Sequence, residues 1–276
     1  MTRRLDLCAD DFGLTPGLSQ VIATLAGRGR ISSLSCLVNT PHWASSAALL
    51  APLAGRIGLG LHFNLTEGAP LSVALAQRWR RLPSLPRLIA RAHLRRLPLA
   101  AIGAEWRAQL AAFVEATGRL PDHVDGHQHV HHLPGVRDIV LDGVAALAPR
   151  PGVRNTGRAL GPGFVVKRRL IEATGGRALA RRLAQRGLPH SAALLGAYDF
   201  ETADYGALMR GWLAQVPPQG ALLFCHPGPH EAGDAIGAAR AREHAYLAGD
   251  AFARDLSAAG VELGTAWMCE PARTRP

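Results

Sequence analysis

The sequence predicts an α/β fold with a (β/α) barrel-like arrangement of parallel strands, on three observations. Short apolar runs alternate with longer stretches of helical period. Ionisable residues stand where several of those apolar runs end, as they do at the carboxyl ends of parallel strands. No internal repeat and no Ser- or Gly-rich linker interrupts the 276 residues, a length that suits one barrel-sized core. We therefore expect a single domain over residues 1–276, wound with right-handed crossovers.

The first strand is expected over residues 4–9, an apolar run that leads into Asp10, Asp11, Phe12 and Gly13. Thr15 followed by Pro16 is a helix-start signal, an N-cap and then a residue whose missing N–H costs nothing in the first turn, and predicts a helix over 16–27. Strands follow over 33–38 and 57–63. The second is glycine-rich and leads into a polar turn carrying Asn64, Thr66 and Glu67. The proline-punctuated segment 70–98 reads as a loop and short helix inserted as a lid over one end of the barrel. It is basic: between Gly68 and Ala104 there is no acidic residue, while Arg78, Arg80, Arg81, Arg87, Arg91, Arg95 and Arg96 accumulate. Further helices are predicted over 102–117, 135–148, 165–186 and 235–259, and further strands over 123–127, 153–155, 221–225 and 261–263.

Composition narrows the function classes. Cys8, Cys36, Cys225 and Cys269 are far apart and form no CxxC pair, so neither a disulfide framework nor a thiolate zinc site is expected, only buried thiols. No run of about 18 apolar residues appears, and MTRRLDLCADDFG lacks a signal peptide's apolar stretch, so a cytoplasmic location is expected. The net charge of +10 invites a nucleic-acid or membrane partner. Lys167 is nevertheless the only lysine, and the abundance of Arg, Ala, Gly and Pro reads as codon bias of a GC-rich genome. Aromatic residues make up only 5%, which leaves base stacking little to work with, and no nucleic-acid partner is expected. Residues 86–97, with Leu88, Ile89, Leu94 and Leu97 among four arginines, fit an amphipathic helix on anionic lipid at the inner membrane surface, a lid, or a solvated face. A homodimer is the other partner kept open.

The densest signal is HVDGHQHVHH at 123–132, five histidines and one aspartate in ten residues. In an extended chain Asp125, His127, His129 and His131 fall at period two and share a side, with Gln128, Val130 and His132 facing away. Only one or two of the imidazoles need be ligands; His131 and His132 are expected to face solvent. Asp125 suits the task of holding an imidazole tautomer, His127 by sequence proximity. Asp10 and Asp11 can reach one site only if the strand ends there, and two adjacent carboxylates repel unless a cation stands beside them. His62 occupies an equivalent strand end, and so does His226, which the turn-forming Pro227-Gly228 follows. Arg154, within the 153–155 strand, is a further candidate to contact substrate or to support a ligand. A mixed carboxylate and imidazole set without thiolate suits one divalent ion, zinc before magnesium, with a coordination position open for water. Alongside such an ion His226, on its own strand and with an ordinary pKa near neutrality, is the natural general acid.

Taken together, ADDFG, HFNLTEG, DGHQHVH and CHPG, in that order over nearly the whole chain, resemble the YdjC-like carbohydrate deacetylases, the family of the chitooligosaccharide and hopanoid-biosynthesis deacetylases. The resemblance implies a barrel-like fold and metal-dependent removal of an N-acetyl group from an amino sugar, free or lipid-linked. It places the metal on Asp11, His62 and His127, with His129 as an alternative to His127, the base on Asp10 and the acid on His226. Asn64, Glu67, Asp125, His129 and Arg154 would then contact substrate or support the ligands.

Two other readings compete. A glycosidase needs two carboxyl groups flanking one bond and leaves the histidines unexplained, while a polymetal phosphoesterase commonly carries more ligands than can be placed here. A basic membrane-surface binding protein is the alternative outside enzymes.

Overall fold

The computed structural model describes residues 2–268; Cys269 lies outside them. Strand β1 (Arg3–Phe12) is buried along its length from Leu5 onward. It pairs in parallel with β2 (Ser33–Cys36), β8 (Ala221–Cys225) and β9 (Val261–Leu263). On the far side of β2 follow β3 (Gly58–Phe63), β4 (His123–Gly126), β5 (Gly152–Val153) and β6 (His190–Ser191), all parallel. β7 (Leu194–Leu195) pairs with β8, and β10 (Trp267–Met268) is antiparallel to β6. The path is thus β10-β6-β5-β4-β3-β2-β1-β8-β7, with β9 beside β1.

Chain continuity curls this sheet. β6 and β7 stand near opposite ends of the path, yet only Ala192 and Ala193 separate them in sequence. Three residue steps span at most about 11 Å, so the two ends must meet. A bridge between Ala159 and Leu194 joins the segment after β5 to β7. This is the barrel-like α/β fold the sequence predicts.

The helices are α1 (Pro16–Gly27), α2 (Trp43–Ala47), α3 (Val73–Ala76), α4 (Leu85–His93), α5 (Leu99–Thr117), α6 (Val136–Ala145), α7 (Val165–Ile171), α8 (Arg177–Arg186), α9 (Tyr205–Ala214), α10 (Gly237–Ala248) and α11 (Asp250–Ala259). α1 begins as read from sequence, with Thr15 Oγ1 accepting the Leu18 N–H and Pro16 in the first turn. The 70–98 segment, expected as a loop and one short helix, carries two short helices, α3 and α4, joined by loops. Cys8, Cys36 and Cys225 are buried free thiols.

Several elements depart from expectation. The helix predicted over 165–186 breaks into α7 and α8 around a π-turn at Glu172–Gly176. Close backbone approach explains it: a Cβ on Gly175 would stand 2.1 Å from the His132 carbonyl oxygen. The helix expected over 235–259 divides at Gly249 into α10 and α11. β6, β7 and β10 are two residues each, too short to show a period, and α9 was likewise unmarked.

The histidine run is the largest correction. After Gly126 the chain leaves the strand and coils through a 3₁₀ segment, His127–His132, in which Gln128 and His129 take left-handed backbone angles (φ 52° and 62°). Strand alternation therefore ends at His127. His131 and His132 are buried rather than solvent-facing: His131 Nε2 lies 2.9 Å from the Arg154 carbonyl, and His132 Nδ1 2.9 Å from Thr156 Oγ1.

Candidate active site and metal centre

Asp10 and Asp11 both reach the mouth of the barrel because β1 bulges there. Its pairing with β2 shifts register between Ala9 and Phe12, and Asp11 adopts φ 69°. Aspartate is among the residues that tolerate this left-handed conformation, at a cost of about 1 kcal/mol. The bulge turns the two neighbours toward different partners.

Asp11 Oδ1 faces His127 Nδ1 at 3.0 Å and His62 Nε2 at 3.5 Å, and its Oδ2 accepts from Arg240 Nη2 at 2.8 Å. The His62 and His127 rings meet edge to face at 5.5 Å. Burial alone would raise the Asp11 carboxyl, but Arg240 and His127 hold it well below the usual carboxylate range. Asp125, from β4, grips His62 rather than His127, with Oδ1 2.6 Å from Nδ1. The register explains this, since His62 and Asp125 are directly paired across β3 and β4. Burial would depress His62, yet Asp125 and Asp10 raise it to about 10. The surroundings thus demand a positive charge at this imidazole.

Beneath this group lies Arg154, wholly buried. It forks onto Asp10, with Nη2 to Oδ1 at 2.6 Å and Nη1 to Oδ2 at 2.8 Å, and Nη2 also pairs with Asp125. Asp125 Oδ2 further accepts from Ser35 Oγ at 2.6 Å. His123 packs where Gly60 has no side chain, since a Cβ there would stand 2.1 Å from its Nε2. Burial lowers the His123 pKa, leaving a neutral ring that contacts Ser35 Oγ at 3.0 Å.

His226 closes the other wall, its Nε2 4.0 Å from Asp10 Oδ2. Burial pushes it down to about 4, so the resting imidazole is neutral at physiological pH. Behind it Glu243 accepts both the His226 backbone N–H and the Tyr198 hydroxyl, each at 2.5 Å.

Three groups among the described residues bring metal-ligating atoms within 4.8 Å of one another: Asp11–His62–His127, Asp10–His62–Asp125 and Cys8–His123–Asp125. The last two already hold a cation, because Arg154 Nη2 pairs with Asp10 and Asp125 and lies 3.4 Å from Cys8 Sγ. Asp11–His62–His127 fits an ion better. Two donors about 2.1 Å from one tetrahedral ion stand roughly 3.4 Å apart, close to the separations found. One carboxylate and two imidazoles suit zinc chemistry, and Asp125 on His62 Nδ1 leaves Nε2 free to ligate.

The cavity above this set has a volume of about 460 Å³. Asp10, Asp11, His62, Glu67, His127, His129 and His226 line it, opposite an apolar wall that includes Leu85, Ile89, Leu170 and Phe200. His129 stands apart from the three ligating groups, its ring against Phe224 at 5.0 Å. Asn64 does not face the cavity: its side chain accepts the Thr66 and Glu67 N–H groups and donates to Asn39 Oδ1, shaping the loop that carries Glu67. Sequence reasoning passed over Arg240, Ser35 and Glu243. Arg240 sits in the arginine-rich stretch AARAR and carries no signal distinguishing it from surface arginines.

The family model described as YdjC-like protein matches residues 4–258. The chain belongs to the YdjC-like protein family. Among curated relatives of this YdjC-like chain, the "Chitooligosaccharide deacetylase" of Proteus mirabilis is 38% identical over 149 residues, covering 51% of this chain and 55% of that protein. The "Carbohydrate deacetylase" of Mus musculus is 37% identical over 155 residues, covering 53% and 49%. The aligned part therefore spans about half the length of these relatives. A crystal structure from Enterococcus faecalis, described as a candidate cellobiose-phosphate cleavage protein, superposes with TM-score 0.74 at 20% identity, over 95% of this chain and 97% of that one. It shares the fold.

Proposed function

We propose that this YdjC-like chain is a metal-dependent deacetylase that hydrolyses the N-acetyl group of an amino sugar and releases acetate. The observation that carries the reading is the convergence of Asp11, His62 and His127 on one point beside Asp10 and His226, in a single cavity. The names of the curated relatives support the same substrate class.

Asp11, His62 and His127 would hold one divalent ion, zinc before magnesium, because two imidazoles and a carboxylate make a borderline donor set. When bound, the ion supplies Lewis acidity, making hydroxide available near neutral pH and polarising the acetamide carbonyl. Asp10 takes the proton of the attacking water, held in place by the two-pronged grip of Arg154. The departing amine needs one proton, and the water has just given one up. His226, neutral at rest and 4.0 Å from Asp10 Oδ2, is placed to receive that proton and deliver it to the sugar nitrogen. Arg240 fixes the second oxygen of Asp11, so that Oδ1 faces the imidazoles. The chain acts as one unit, with residues 70–98 covering the cavity through Leu85 and Ile89.

The test is acetate release from a panel of free and lipid-linked N-acetylglucosamine compounds, with and without a chelator. Turnover that the chelator abolishes and zinc restores is expected. Metal-loaded protein that releases acetate from none of them would overturn the substrate class.

A further inference from the structure

We infer that the rim of the cavity built by α4 and α7 is a docking surface for an anionic lipid bilayer. Among the described residues, all the exposed large apolar side chains fall within two segments, 71–99 and 165–170. The most exposed are Val166 (82%), Val73 (73%), Leu94 (62%) and Leu170 (59%). Soluble surfaces scatter such side chains singly, whereas Leu94 directly follows α4 and Val165, Val166 and Leu170 stand on α7, the two elements that adjoin.

The two segments are neighbours in space although about 70 residues apart in sequence. Leu85 and Ile89 of α4 line the same cavity as Lys167 and Leu170 of α7. His93, at the end of α4, lies with Nε2 3.0 Å from the carbonyl oxygen of Thr174, just beyond α7.

Charge identifies the partner. Neither segment contains an acidic residue, and the exposed Arg87, Arg95, Arg96 and Arg169 have no ion-pair partner among the described residues. Aliphatic side chains interleaved with unpaired guanidinium groups match hydrocarbon beneath an anionic headgroup layer. A second copy of the chain fits poorly, because a two-fold contact would set one basic patch without acidic residues against another of the same charge. No helix among the described residues is long and apolar enough to cross a membrane, so the contact is interfacial. This surface stands independently of the deacetylase reading.

The experiment is flotation of the full chain with vesicles of phosphatidylglycerol and phosphatidylcholine, against phosphatidylcholine alone, at low and moderate salt. The protein is expected to float with the anionic vesicles and to be weakened by salt. Replacing Arg87, Arg95 and Arg96 by Ser should weaken binding roughly fivefold per residue. Leu94→Glu with Val166→Glu, neither of which lines the cavity, should weaken it at least about tenfold while circular dichroism and melting temperature stay unchanged. Wild-type protein that stays unbound on anionic vesicles at low salt overturns the inference, as does equal flotation of the folded Leu94→Glu/Val166→Glu variant. A dimer in light scattering that the same variant dissolves, without flotation of wild type, assigns the surface to self-association and overturns it too.

Discussion

Asp10 gives both carboxylate oxygens to one buried guanidinium, whereas Asp11 divides its oxygens between Arg240 on one side and two imidazoles on the other. The two residues are adjacent and chemically identical. What separates them is a single left-handed backbone turn at Asp11, which sends one side chain down toward Arg154 and the other across toward His62 and His127. Both aspartates meet a guanidinium, but Arg154 takes both oxygens of Asp10 while Arg240 leaves Asp11 Oδ1 to the two imidazoles. The partner each carboxylate meets assigns its chemistry.

Removing the Asp11 carboxylate should have the largest effect. Asp11→Asn should lower acetate release on the order of 10⁴-fold, several kcal/mol of lost Lewis-acid stabilisation, and should remove the metal seen by elemental analysis of the same sample. Asp10→Asn should instead keep the metal while kcat falls about a hundred- to a thousandfold, since only the proton acceptor is lost. If both variants lose metal equally, the two carboxylates act as one.

His226→Ala tests the far wall. A loss of about a hundredfold in kcat, with metal content intact and a slower amine-release step, is the expected outcome. A smaller effect is expected from Asp125→Asn, which removes the acceptor on His62 Nδ1. Metal affinity should weaken about ten- to a hundredfold in a competition titration with a zinc-sensitive dye.

Since the folded pKa of His62 is raised to about 10, the metal-free protein carries a proton there at neutral pH, and an ion must expel it. Apparent metal affinity should therefore fall roughly tenfold for each unit the pH drops below about 10, and calorimetry in buffers of different ionisation enthalpy should count the proton released. In the metal-free protein the sign is reversed: the charged His62 stabilises the fold fully below its unfolded pKa, and that contribution is lost as pH rises through about 10.

The long apolar strands β1, β3 and β8 and the capped helix α1 were readable because periodicity and capping are local. The strand-end positions of Asp10, Asp11, His62 and His226 followed from them. The two-residue strands β6, β7 and β10 were invisible, since two residues carry no period. The histidine run misled because alternation holds only while the chain is extended, and the coil after Gly126 ended it. Asp125 was read as a support for an imidazole, but its partner turned out to be His62, across a strand pair that sequence spacing cannot report.

The alternation of strand and helix, the burial of the apolar runs and the carboxylates and imidazoles at strand ends are written in the chain itself, because these depend on neighbours a few residues away. Which guanidinium meets which aspartate comes from folding: Arg240 joins Asp11 across 229 residues and Arg154 joins Asp10 across 144. The physical reason is that ion pairing acts over a few ångströms in space, and the sheet's register and curl choose which distant residues come that close.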